Sequence, residues 1–158
     1  MGVRLSEADI ARLVAEPKRL CADPKRLALR PKRGHEERDL ALAGASGSQF
    51  RLILRRSRLN PLDFSVILAY RLPDSSRLFR LRRYNGRSHE HRNRLEGTRF
   101  YDFHIHYATE RYQDLGARED AYAESADTFS TLEAARELLF AECGVLRPEN
   151  DQLSLFEG

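Results

Sequence analysis

Apolar and polar positions alternate along this chain in two distinct periods. Near the start, Ser6-Glu7-Ala8-Asp9 reads as a helix N-cap with an acidic residue at the third helical position. Ile10, Leu13 and Val14 then recur at helical spacing, which predicts a short helix from Glu7 to Ala15. Pro17 ends it, because the residue before a proline is pushed out of the helical region. From Gln49 the period changes to two. Phe50, Leu52 and Leu54 alternate with Arg51, Ile53 and Arg55 in a first strand, Gln49 to Arg56. Asp63 to Arg71 is apolar enough on both faces for a central strand. Leu78 to Tyr84 follows, with Arg80 and Arg82 expected on one face, and Phe100 to Ala108 reads as a fourth strand. Pro73-Asp74-Ser75-Ser76 and Tyr84-Asn85-Gly86 have turn chemistry. Ala108 to Leu115 forms a short helix or turn stopped by Gly116. Ser130-Thr131-Leu132-Glu133 is a capping box, and Leu132, Ala135, Leu139 and Phe140 continue at helical spacing to a C-cap glycine, Gly144. The expected fold is α+β: an antiparallel meander of four or five strands covered by a C-terminal helix, with an N-terminal helix and a basic arm.

The arm is an internal repeat. Pro17-Lys18-Arg19-Leu20, Pro24-Lys25-Arg26-Leu27 and Pro31-Lys32-Arg33 recur every seven residues. A proline in each unit forbids a continuous helix from Pro17 to Pro31. The arm reads either as a strap on an anionic surface or as a strap packed on its own domain by Leu20, Leu27 and Leu29. These patterns divide the chain into helix and arm (1–43), an α+β core (44–146) and a tail (147–158).

Composition adds three things. With 158 residues and 41% hydrophobic content, the chain can bury a real core. No signal peptide is read in Gly2 to Glu16, no stretch reads as a membrane span, and Cys21 and Cys143 have no metal or redox spacing. A cytoplasmic protein without membrane attachment is expected. Charge is unevenly placed: residues 1–109 hold 23 Lys and Arg against 12 Asp and Glu, while residues 110–158 hold 4 against 12. The first part either meets an anionic partner, nucleic acid included, or is neutralised by the second part.

Four of the five histidines lie between His89 and His106. His89 and His91 are two apart, as are His104 and His106, so on strands each pair points to one face. Asp102 shares the parity of His104 and His106. Imidazoles brought together hold zinc or a similar metal. Alternatively, imidazole with Arg87, Arg92 or Arg94 suits RNA cleavage, with histidine as acid or base and guanidinium on phosphate. A polar sheet face of hydrogen-bonded histidines is the third reading. No cysteine joins the cluster, so no metal, cofactor or catalytic residue is assigned, and His89, His91, His104 and His106 stand as metal candidates only.

The last feature is the peptide Gln152-Leu153-Ser154-Leu155-Phe156, preceded by the polar, proline-containing stretch 147–151. It resembles the peptide by which bacterial replication and repair proteins bind the DNA polymerase sliding clamp. Such peptides bind extended. Leu155 and Phe156 would fill an apolar pocket, Gln152 would fix register through its amide, Leu153 would add apolar contact, and Ser154 is small enough to pass the rim. A tail packed on its own core is the alternative. With Leu78–Gly86 and Phe100–His106, the chain looks like the clamp-targeting toxins of bacterial toxin–antitoxin pairs, the SocB-like group. That resemblance implies a non-enzymatic inhibitor that occupies the clamp's peptide pocket (DNA polymerase III beta subunit) and stalls replication. It also implies a protein antitoxin. An RNase-type toxin and a clamp-recruited repair or mobile-element accessory protein are the rival expectations.

Overall fold

A computed structural model describes residues 4–21 and 27–147. The repeat unit at Pro24 and the peptide Gln152–Phe156 lie outside the described residues. Helix α1 (Glu7–Ala15) starts as expected: Ser6 Oγ accepts from the Asp9 amide at 3.0 Å, and the Asp9 carboxylate accepts from the Ser6 amide at 3.1 Å. The strands are β1 (Lys18–Leu20), β2 (Arg30–Pro31), β3 (His35–Gly44), β4 (Gln49–Ser57), β5 (Phe64–Arg71), β6 (Leu78–Asn85), β7 (His91–Asn93), β8 (Thr98–Phe100), β9 (His104–Tyr107), β10 (Tyr122–Ser125) and β11 (Val145–Leu146). Helices α2 (Glu110–Asp114) and α3 (Leu132–Glu142) complete the set. The main sheet runs β10-β9-β6-β5-β4-β3-β1-β11, with β2 on β3, and β7 and β8 form a separate hairpin. All pairings are antiparallel except β1 with β11.

This α+β architecture has the expected meander at its centre, β4-β5-β6, but extends beyond four or five strands in both directions. β3 forms a long ladder with β4, from His35 opposite Ser57 to Ala43 opposite Gln49. Through β1 and β3, the stretch 1–43 shares its sheet with the residues after Gly44. Leu20 and Leu27 are buried in the same hydrophobic cluster as Leu52, Val66 and Leu139, and Leu29 packs against it. The described parts of the arm are therefore strand and packed strap. One face of the sheet meets α3 at β5 and β6, with α1 also against β6. Ion pairs tie the basic part to the acidic part: Arg4 to Glu110 and Asp114, Arg56 to Glu133, Arg80 to Glu119, and Arg82 to Glu142. Among the described residues no helix is long and apolar enough to cross a membrane.

The expectation that Arg80 and Arg82 share a face is corrected by a β-bulge. Leu68 pairs with Arg82 and Ala69 with Arg80, leaving Leu81 as an extra residue in β6. Buried positions accordingly step from Phe79 and Leu81 to Tyr84. Arg82 turns toward Tyr107 and Glu142. Arg80 faces Glu119 on the opposite side, joined there by Arg83 and Asn85.

Where α1 ends, Lys18 is wholly buried. Its ammonium donates to the carbonyls of Val14 at 2.9 Å, Glu16 at 2.7 Å and Cys143 at 2.8 Å, so each of its three hydrogens has an acceptor. It also stands 4.7 Å from the centre of the Phe50 ring. Burial pushes its pKa down to about 8, which leaves it charged at neutral pH. The neighbouring Glu16 carboxylate accepts from the Ser46 amide at 2.9 Å, in the turn between β3 and β4. A Cβ on Gly44 would lie 2.0 Å from that carboxylate and 2.8 Å from the Ser48 carbonyl oxygen, so a larger residue there would displace the carboxylate and press on the turn backbone. Gly144, with φ of +67°, ends α3 as its position predicts.

Replacing Lys18 by Met keeps the stem and strands three buried carbonyls. An unpaired buried polar group costs about 1–3 kcal/mol. A loss of at least roughly 3 kcal/mol is expected, which lowers the melting temperature by about 6–12 °C in a chain of this size. Thermal melts of wild type and Lys18→Met check this.

Candidate histidine site

β9 lies between β6 and β10, and its alternation sends His104 and His106 to the face away from α3. Across the ladder, His104 stands opposite Asn85 and His106 opposite Arg83. Both histidines are buried, at 0% and 4% exposure. The β7–β8 hairpin covers them and brings His91 down. The rings of His91 and His104 stack at 5.4 Å, His91 meets His106 edge-on at 4.9 Å, and His104 meets His106 at 5.0 Å. One ring nitrogen from each of the three lies within 4.8 Å of the others. His89 is exposed, 5.6 Å from His104 ring to ring, and stands outside this group.

The hairpin is held by a side chain that imitates backbone. Asn93 Oδ1 accepts from the Ala123 amide at 3.0 Å, and its Nδ2 donates to the Ala123 carbonyl at 2.8 Å and to Thr98 Oγ1 at 3.0 Å. The Ala123 amide can only donate, so the orientation of the Asn93 amide is fixed. His91 Nε2 lies 2.7 Å from Asn93 Oδ1 and must therefore be the donor. That leaves His91 Nδ1 unprotonated in the neutral ring.

The same argument settles the other two rings. His104 Nδ1 donates to the Asp102 carbonyl at 2.8 Å, and His106 Nδ1 donates to the Asp120 carbonyl at 2.7 Å. A carbonyl only accepts, so the unprotonated nitrogens are Nε2 of His104 and of His106. Asn85 Nδ2 stands 3.5 Å from His104 Nε2, a weak contact, and Asn85 Oδ1 accepts from Ser65 Oγ at 2.9 Å. His106 Nε2 is buried with no hydrogen-bond partner.

Burial dominates the titration of all three. It pulls His104 down to about 4 and His106 to about 2, with Arg83 and the neighbouring imidazoles adding to the shift and the carbonyls of Asp102 and Asp120 opposing it. His91 is lowered by burial as well, and by His89 and Arg83, against the Asn93 hydrogen bond. All three are neutral at pH 7. A general acid or base works best with a pKa near the working pH. This burial therefore disfavours the RNase reading for His104 and His106 and suits neutral ligands.

The expected carboxylate is corrected too. The Asp102 side chain accepts from Ser125 Oγ at 2.8 Å and is exposed, so it contributes its backbone carbonyl instead. The carboxylate beside the rings is Asp120, wholly buried, 3.1 Å from Arg83 Nε in an ion pair without hydrogen-bond alignment. Nothing in the spacing of Asp120 pointed to it, because its place depends on the loop between α2 and β10. A cavity of about 320 Å³ opens beside the site, lined by Arg83, Arg92, Arg94, Arg118, His91 and His106 among others. Arg87, the remaining arginine of the RNase expectation, is bound instead to the Tyr101 carbonyl at 3.2 Å.

Residues 5–143 match a family of unknown function, DUF6978. No curated protein and no solved structure matches the chain.

The buried imidazoles make stability pH-dependent with a definite sign. Above 6.5, folded and unfolded chains both hold neutral histidines, and the full stability is present. As pH falls below 6.5, the unfolded chain binds protons that His104 and His106 refuse in the fold, so stability is lost. In metal-free buffer, His104 alone should remove on the order of 2 kcal/mol between pH 6.5 and 5. Urea midpoints across that range, for wild type and His104→Gln, measure it: the wild-type slope should be the steeper.

Proposed function

The chain therefore belongs to DUF6978, a family without an assigned function, and we propose that it is a sliding-clamp-binding inhibitor of DNA replication, the toxin of a toxin–antitoxin pair. The observation that carries this reading is the peptide Gln152-Leu153-Ser154-Leu155-Phe156. Every position has the residue type that a clamp pocket takes. It follows β11, the last strand among the described residues, and lies beyond the stretch matched by the family. Competition is the proposed mechanism. Replisome proteins use one pocket through similar peptides, and a peptide tied to a folded domain blocks their access. Basic surface near the N-terminal region adds a second, electrostatic contact with the acidic clamp or with nucleic acid, and the two contacts together raise avidity. A protein antitoxin and a cytoplasmic setting complete the proposal. No catalytic residue is part of it.

Replacing both Leu155 and Phe156 by Ala tests it. Each buried large apolar side chain contributes roughly 1.5–3 kcal/mol, and about 1.4 kcal/mol is tenfold in affinity. Binding to purified clamp should fall roughly a hundredfold or more by that arithmetic, with the melting temperature unchanged and growth arrest on expression lost. Gln152→Ala should cost less, about 1 kcal/mol for one hydrogen bond. Changes in the histidine site should leave clamp binding intact. Arrest that survives the double change after clamp binding is gone would overturn the inhibitor reading. A lowered melting temperature with clamp binding unchanged would show a tail packed on its own core.

A further inference from the structure

We propose that His91, His104 and His106 form a three-imidazole site for a divalent metal of the zinc class, with its fourth position open to the arginine-lined cavity. The proposal is independent of the clamp reading. It rests first on hydrogen-bond bookkeeping. Each ring donates one N–H to an acceptor that cannot donate back: Asn93 Oδ1, whose orientation Ala123 sets, and the carbonyls of Asp102 and Asp120. Metal-ligating histidines are oriented in this way, through an outer partner that fixes the tautomer. Three unprotonated nitrogens are left, in three rings that pack against one another.

Second, the packing leaves a buried polar atom without a partner. His106 Nε2 makes no hydrogen bond in a site that excludes most of the solvent. Leaving such a group unmatched is costly. A cation at that point would engage His106 Nε2, His104 Nε2 and His91 Nδ1 together.

Third, the donor set selects the ion. Neutral imidazoles suit zinc, copper or nickel, whereas magnesium and calcium require oxygen ligands. Neither cysteine belongs to the group. Zinc–nitrogen bonds of about 2.0–2.1 Å place tetrahedral ligands roughly 3.3 Å apart. One ring nitrogen from each residue already lies within 4.8 Å of the others, so binding would draw the rings together, chiefly the half-buried His91 on its hairpin. Arg83, Arg92, Arg94 and Arg118 line the cavity beside the fourth position. Asp120 offsets Arg83. The remaining positive charge favours water or an anionic oxygen donor as the fourth ligand rather than a fourth side chain.

The test uses the full chain, stripped with chelator and titrated at neutral pH with Zn²⁺ against a competing indicator, and separately with Co²⁺. One Zn²⁺ per chain is expected, with a rise in melting temperature and Co²⁺ absorption bands of tetrahedral intensity. His91 is half-buried, so His91→Ala should keep the metal-free fold by circular dichroism while losing at least roughly a hundredfold in affinity. Asn93→Asp keeps an acceptor for His91 but loses the amide donors to Ala123 and Thr98; a smaller loss is expected. A folded wild type without stoichiometric Zn²⁺ would overturn the proposal. So would a His91→Ala protein that binds zinc as tightly as wild type, because the metal would then sit elsewhere.

Discussion

The described fold is closed by one buried ammonium. Lys18 finds acceptors at the ends of two helices that are far apart in sequence: Val14 in the last turn of α1, Glu16 just after it, and Cys143 just after α3. Helix C-termini leave carbonyls unpaired, and an interior offers no water to satisfy them. A single donor with three hydrogens solves both ends together. Its geometry also sets the sheet edge. β1 begins at Lys18 itself, so the same residue pairs with β3 on one side and β11 on the other. The charge is held in place by what surrounds it: the Phe50 ring to one side and the Glu16 carboxylate, itself bound to the β3–β4 turn, to the other. Burying a lysine is expensive. Here the cost is offset because every hydrogen is used and two helices, a turn and a strand pair share the arrangement.

Elements with strong period were legible in the sequence. The capping box at Ser6, the alternation through β4 and β5, and the helical spacing from Leu132 to its glycine stop rest on local chemistry and appear in the fold. But α3 is capped one residue later than expected, by Thr131 rather than Ser130, with Thr131 Oγ1 accepting from the Ala134 amide at 3.1 Å. β3 was not legible, because its first half, Glu36-Glu37-Arg38-Asp39, looks like a solvated charge run. Its logic lies across the ladder: Glu36 pairs with Arg56, and Asp39 is bridged by Arg51. β1, β10 and β11 are short, and β1 and β11 join residues more than a hundred positions apart. No window of local sequence reports such a pairing. Part of the charge asymmetry has its answer in the same long-range contacts: among the described residues, Arg4, Arg56, Arg80, Arg82 and Arg83 pair with carboxylates after Thr109.

The candidate site was half readable. His104 and His106 at a spacing of two, on a strand, belong on one face, and they are there. The third ring could not be assigned by parity. His91 reaches the pair because Asn93 docks a separate hairpin against β10, an interaction between a side-chain amide and a backbone that no periodicity encodes. Asp102 had the right parity and still turned its carboxylate to Ser125. Parity gives the face of a strand but not the path of the loops around it.

The extra residue in β6 has a consequence for how one strand serves two environments. Up to Leu81 the odd-numbered positions are dry and the even-numbered ones wet. Beyond it the assignment is inverted, so Tyr84 goes to the helices while Arg83 and Asn85 go to the imidazoles. A regular strand would have carried the same sequence with a single phase and set an arginine into the core and a tyrosine against the histidines. The bulge acts as a phase shifter. It lets eight consecutive residues supply apolar contacts along their whole length on one side, while the polar groups for the other side gather at one end. The chemistry of the histidine pocket is thereby confined to a corner of the sheet, and the rest of the ladder is left free to be structural.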